Sequence, residues 1–313
     1  MLIDVSTMAH SNRLNLVTVG HFAIDTISSP KVTPARTTLG GPPTYVSVAA
    51  AKLGAKVSVI SKVGDDFSSK YTKWLRDSHV DLAGLKQVEG HVTTRFALKY
   101  QRDWRRILQL KALAPPIQVN DIPNSLRAQA IHVAPIANEL SINIVEKLRE
   151  LTGILSLDPQ GFVRVFDAHG HVRSKRWTES SVLELIDIYK SSEDEMKKVT
   201  GIADVKQAAR KIQDHGARIV IATRGLHGSM VLFESVFCNV PACRPQVVLD
   251  PTGAGDAYIG AFLAEYTREE ETLWCACVGS AAASFVVEGV GPERFGNREE
   301  TYARARKVYL KLV

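Results

Sequence analysis

Cysteine is scarce: four residues in 313, at Cys238, Cys243, Cys275 and Cys277, are too few for a disulfide framework. Cys275 and Cys277 fall within a stretch of helical periodicity, and no histidine stands near enough to complete a metal-ligand spacing. Free thiols in a reducing cytoplasm are therefore expected. Apolar runs are short, none reaching the roughly eighteen residues that a membrane-spanning helix needs. Met1 to Leu14 lack the apolar core of a signal peptide and read as a polar leader before one unit spanning residues 15–313. Internal repeats, low-complexity tracts and linker-like shifts in composition are also missing. The net charge of +6 suits a small anionic ligand such as a nucleotide, but the basic residues form no arm or stripe for a nucleic acid. Arg102, Arg105 and Arg106, like Arg173, Lys175 and Arg176, read as solvated turns. One motif is absent as well: after the first apolar strand the chain runs Gly20-His21-Phe22-Ala23-Ile24-Asp25, without the Gly-x-Gly-x-x-Gly of a nicotinamide dehydrogenase.

What the chain has is a 45% hydrophobic composition, sufficient for a large core, arranged in a βα rhythm. Strands are expected at Leu16–His21, Val57–Ser61, Ile131–Ala134, Ile154–Asp158, Leu185–Tyr189 and Arg218–Ala222. Between them lie helical patterns at Thr44–Leu53, Phe67–Asp77, Leu140–Leu151 and Val205–His215, and Arg298–Leu312 closes the chain. This alternation predicts an α/β fold with a mostly parallel sheet covered by helices on both faces. It is broken by Thr93–Tyr100 and Arg106–Lys111, an apparent hairpin around Gln101 to Trp104, which with Thr26–Leu39 would form a small second sheet.

The chemistry concentrates in Val248-Leu249-Asp250-Pro251-Thr252-Gly253-Ala254-Gly255-Asp256-Ala257. A β-branched strand, Gln246 to Leu249, is expected to pass through a turn with positive φ at Gly253 and Gly255 into a helix marked by Tyr258, Ile259, Phe262, Leu263 and Tyr266. Such a helix start aims unpaired amides and the positive end of the helix dipole at one point, which suits a phosphate. Asp256 faces the same point from the first turn, where the dipole is expected to lower its pKa. An isolated Gly-x-Gly-Asp also serves as a plain helix start.

The whole Asp250 to Asp256 string, with Leu39-Gly40-Gly41-Pro42-Pro43 ahead of a helix, resembles the two signatures of the ribokinase-like, PfkB-type carbohydrate kinases. The resemblance covers residues 15–313 and implies a three-layer α/β/α sandwich whose small β-sheet, about 26–39 and 92–111, lids the substrate. It implies Asp256 as general base and the amides of Gly253, Ala254 and Gly255 as anion hole. It assigns Asp25, Gly40, Gly41 and Tyr45 to a small polyol substrate, and Thr223, Gly225, Gly228, Thr252 and Ser280 to ATP. Thr44 or Tyr45 stands where ribokinase carries an Asn, a departure from ribose specificity. Glu195 would order the water around Mg2+, with Ser192 in place of the family's Asn. Asp250, with the loop Glu288-Gly289-Val290-Gly291, would hold a monovalent cation such as K+. Members of the family also dimerise through the lid.

Asp158-Pro159-Gln160-Gly161-Phe162-Val163-Arg164 resembles the branch that contains archaeal inositol kinases, which adds Asp158 and Gln160 to the substrate side. It reads equally as a turn in which these two side chains cap each other. Arg95 is a candidate ligand contact or a solvated strand residue, and Ala281 to Ala283 suit either a packed helix or an adenine ring. The expected activity is ATP-dependent phosphorylation of a sugar or cyclitol hydroxyl, ahead of a nucleoside kinase and of a sensor that binds without catalysis. Retention of Asp256 beside both glycines speaks against the sensor.

Overall fold

The first strand, β1 (Leu14–Val19), is buried on both sides, and its side chains divide by parity. Leu16 enters one core while Val17 and Val19 enter another, as a two-residue period requires of a strand covered on both faces. The computed structural model describes residues 14–313 except 103 and 178; the expected leader, Leu14 apart, lies outside the described residues.

After β1 come the hairpin β2 (Ala23–Ser29) and β3 (Val32–Gly40), helix α1 (Pro42–Lys52), β4 (Val57–Gly64), α2 (Ser69–Asp77) and β5 (Val80–Val88). A second hairpin, β6 (Thr94–Tyr100) and β7 (Arg106–Ala112), precedes β8 (Ala128–Val133), α3 (Ile142–Arg149) and β9 (Thr152–Leu157). Then follow a ribbon, β10 (Arg164–Phe166) and β11 (Val172–Ser174), β12 (Ile188–Ser192), α4 (Glu193–Thr200) and α5 (Val205–Asp214). The chain ends with β13 (Ile219–Thr223), β14 (Ser229–Phe233), β15 (Val236–Val240), α6 (Ala254–Tyr266), α7 (Thr272–Val286) and α8 (Arg298–Tyr309).

The large sheet has nine strands in the order β15-β14-β13-β12-β9-β8-β1-β4-β5. From β13 to β5 every pairing is parallel, and the hairpin of β14 and β15 adds an antiparallel edge. Helices α1, α2, α6, α7 and α8 pack on one face, and α3, α4 and α5 on the other. The small sheet, in the order β3-β2-β6-β7, joins the two hairpins through a parallel pairing of β2 with β6. It contains the segments expected to lid the substrate.

Two expected strands differ. Residues 180–185 form a short 3-10 turn, and the strand expected at Leu185–Tyr189 runs from Ile188 to Ser192. No strand forms over Gln246 to Leu249, because β15 already ends the sheet and the chain must return from that edge to α6, which packs against α1 and α7. The segment is instead pinned singly, by the Leu249 amide on the Val287 carbonyl at 2.8 Å and the Gln246 amide on Glu288 at 2.7 Å. β-Branched composition favours extension, but a ladder also needs a neighbour. Among the described residues, no helix is long and apolar enough to cross a membrane.

Candidate active site

The carboxyl ends of the parallel strands and the small sheet enclose one cleft, the usual place for a ligand in an open α/β sheet. Ala23, Asp25, Phe96, Leu98, Arg106 and Leu108 line it from the small sheet; Gly41, Tyr45, Thr252, Gly253 and Asp256 line it from the helical layer. Gln160 and Arg164 close a third side.

Gly253 caps α6 with φ 76°, as the turn requires, and no side chain caps the helix. The Ala254 amide reaches back to Pro251 at 3.3 Å, so the first-turn amides beyond it carry the anion-binding capacity. Gly255 lies inside the helix and has no positive φ, contrary to expectation. A Cβ there would stand 2.8 Å from the Lys190 Nζ, the end of a side chain that Asp158 holds in place. Gly253 is pressed onto Tyr45, whose ring would meet a Cβ at 2.3 Å.

Asp256, third in the helix, is pushed up to about 6 rather than lowered. Burial is the main cause, with Asp158 and Glu195 adding to it against Lys190 and Arg164. Desolvation and two carboxylates thus outweigh the helix dipole. Asp25 is pushed higher, to about 7, by burial, with Asp250 and Asp256 adding to it against Arg106 and Arg164. Its Oδ1 is buried without a hydrogen-bond partner, a condition that a substrate hydroxyl would relieve. Gly40 gives it room, since a Cβ there would overlap the carboxylate at 1.9 Å. Gly41, with φ 82°, lets Pro42 and Pro43 start α1. Tyr45 keeps a buried hydroxyl without a partner.

Other expected residues are engaged within the protein. Arg95 binds Asp66 through Nε at 3.1 Å and does not line the cleft; Phe96, its neighbour on the opposite face of β6, does. Asp158 pairs with Lys190 at 2.6 Å and accepts the Gln160 amide at 3.2 Å, so Gln160 rather than Asp158 faces the cleft. Ser280 joins α7 to the loop after β15, accepting from the Cys243 amide at 2.9 Å and donating to the Pro241 carbonyl at 3.1 Å. Thr223 donates to Ser191 at 3.3 Å. Gly225 and Gly228, with φ 55° and 83°, form the turn into β14. Ser192 caps α4 and shares a capping box with Glu195, whose Oε2 accepts from the Ser192 amide and hydroxyl. Asp250 accepts Thr252 N and Oγ through Oδ1 and Gly291 N through Oδ2. Ala281 and Ala282 are buried in the core.

Two arginines and a lysine enter that sequence reading did not place in the site. Arg106, expected in a solvated turn, opens β7 and faces the cleft with Leu108, the alternation that could have revealed it. Arg164 is buried beside it, donates to the Ile136 carbonyl at 3.1 Å and is lowered to about 10 by burial and by Arg106. Lys190 left no local signal, because its partner is 32 residues away.

The sequence profile of the pfkB family carbohydrate kinases matches residues 10–295. A cytidine kinase of Thermococcus kodakarensis is 30% identical over 283 residues, 89% of this chain and 98% of the relative. A solved pyrophosphate-dependent kinase of the ribokinase family, in complex with sulfate, superposes with a TM-score of 0.80 at 26% identity over 92% of this chain and 99% of its own. A pyrophosphate-dependent kinase of the same family complexed with a pyrophosphate analogue and myo-inositol gives 0.78 at 25%, with coverages of 92% and 99%. With a base candidate, an uncapped helix start and a lidded cleft in one place, the chain belongs to the pfkB family of carbohydrate kinases, phosphotransferases of ribokinase-like fold.

Proposed function

We propose that the protein transfers the terminal phosphoryl group of ATP to a hydroxyl of a small sugar or cyclitol, with Asp256 as general base. The observation that carries this reading is the shared cleft of Asp25 and Asp256 at the start of α6. Asp25, through its unpartnered Oδ1, and Gln160 hold acceptor hydroxyls. One hydroxyl is presented to Asp256. Its oxygen forms a bond to the terminal phosphorus as the bridging P–O bond breaks; the proton passes to Asp256 and the electron pair leaves on the diphosphate oxygen. The α6 amides receive the charge on the transferred group, and orientation supplies much of the rate.

Magnesium fits as a hydrated ion: no cluster of three or more His, Cys, Asp or Glu among the described residues forms a cage, and Mg2+ commonly rests on one carboxylate plus phosphates and water. Glu195, with Oε2 in its capping box, has Oε1 left to orient that water. When bound, the ion neutralises donor phosphates. Asp250 accepts three hydrogen bonds, which leaves room among a carboxylate's four sites for a monovalent cation.

A nucleoside acceptor is the second reading, supported by the cytidine kinase relative and by the apolar wall of Phe96, Leu98 and Leu108, which suits a base. ATP consumption with Mg2+ and K+ across myo-inositol, ribose, fructose, ketodeoxygluconate, adenosine and cytidine tests both. A sugar or cyclitol responder is expected; a response confined to nucleosides replaces the first reading with the second, and silence with all acceptors despite ATP binding contradicts both.

A further inference from the structure

Lys190, the middle residue of β12, has only 4% of its surface exposed, and its Nζ lies 2.6 Å from Asp158 Oδ2 just after β9. An ammonium has three donors, and the Asp158 contact uses one. The head group is beside the first turn of α6, where a Cβ on Gly255 would stand 2.8 Å from Nζ and 3.5 Å from Cε. Burying a lysine this deeply is costly unless its remaining donors find acceptors. His132, on β8 beyond β9, is lowered to about 3 by burial and by the Lys190 charge, so it adds no competing cation.

We infer that Lys190 is a further catalytic residue, whose ammonium is held by Asp158, admitted by the missing side chain of Gly255, and bonded to the phosphoryl group in transfer. This rests on the kinase reading above. As the acceptor oxygen bonds to phosphorus and the bridging bond breaks, Lys190 donates to a nonbridging oxygen, and the acceptor proton still goes to Asp256. A fixed cation there complements the amides, which carry only partial charge. Lys190 also acts on Asp256. The other charged groups around that carboxylate are Asp158, Glu195, Arg164 and Asp25, with Arg106 beyond Asp25.

The test compares Lys190→Met with the double variant Lys190→Met/Asp158→Asn, which leaves no unpaired buried carboxylate, and with Asp256→Asn. Turnover, acceptor KM, pH profile, melting temperature and calorimetric binding of Mg2+-tripolyphosphate are measured on the full chain. Both Lys190 variants are expected to lose about 100-fold or more in kcat, with acceptor KM within about threefold, and about tenfold in tripolyphosphate affinity. In the single variant the acid limb of the rate profile moves to higher pH, because Asp256 loses the Lys190 cation while the Asp158 carboxylate stays beside it. If the double variant regains wild-type turnover and tripolyphosphate affinity, the pair is structural and the inference falls. Loss of activity in Asp256→Asn alone, with both Lys190 variants active, also overturns it while leaving the kinase reading intact. If the wild-type protein phosphorylates no acceptor, the tripolyphosphate affinities still decide Lys190, and only the proposed activity fails.

Discussion

The proposed acceptor and donor sides of Asp256 differ in how far their polar groups are already satisfied. On the acceptor side Asp25 Oδ1 and the Tyr45 hydroxyl are buried without partners, and burial raises the pKa of both groups. On the donor side Ser280 and Thr223 are bonded to their own backbone surroundings, and the exception is a cation, Arg224, whose Nη2 donates to Asn239 at 2.7 Å while its Nε is buried without a hydrogen-bond partner. Unpaired buried groups mark where a ligand's hydroxyls complete the structure, whereas satisfied side chains leave recognition to amides and charge. The acceptor is thus expected to be read by side chains, and the phosphate chain by the start of α6.

The largest effect that sharpens this contrast is expected from Asp256→Asn. Turnover should fall by about three orders of magnitude while ATP binding measured by calorimetry persists, since only the proton acceptor is lost. Asp25→Asn comes next: acceptor KM should rise about tenfold or more, with donor KM within about twofold, in steady-state kinetics. A comparable change in donor KM would break the division between the two sides.

The pH dependence follows from the same two carboxylates. The proposed roles need both ionised, so kcat/KM should fall as pH drops through about 7 and about 6, and Asp25→Asn should leave one limb at or below about 6. Stability runs the other way. The folded-state pKa of Asp25 lies above its unfolded value, so its contribution is full below the ordinary value of 3.8 and is lost as pH rises through about 7. At pH 8 Asp25→Asn should therefore raise the melting temperature, and a fall would contradict the assignment of Asp25 as a desolvated, unpaired acid. The smallest effects belong to Ser280→Ala, expected within about threefold in donor KM, and to Arg95→Ala, expected to leave kinetics within about twofold because its partner is Asp66.

Sequence alone exposed the parts of this site governed by local rules. Gly41-Pro42-Pro43 had to start a helix, Gly253 had to turn, and alternation defined β6 and β7 of the small sheet. Those rules act within a few residues. The parts that escaped depend on distant neighbours: Lys190 is explained only by Asp158 and Gly255, Arg95 is removed from the cleft by Asp66, and the expected strand at Gln246–Leu249 finds no partner. The pKa of Asp256 belongs to the same class. A helix dipole can be read locally, but the burial and the Asp158 and Glu195 charges that reverse its effect cannot.

The most direct measurement is the initial rate of phosphoryl transfer by wild-type protein and Asp256→Asn, at pH 8 with Mg2+-ATP and the acceptor that responds best. A loss of about 10³ in kcat with intact ATP affinity is the result predicted for a general base at the start of α6. Turnover within tenfold of wild type would contradict it and move the proton acceptor elsewhere in the cleft.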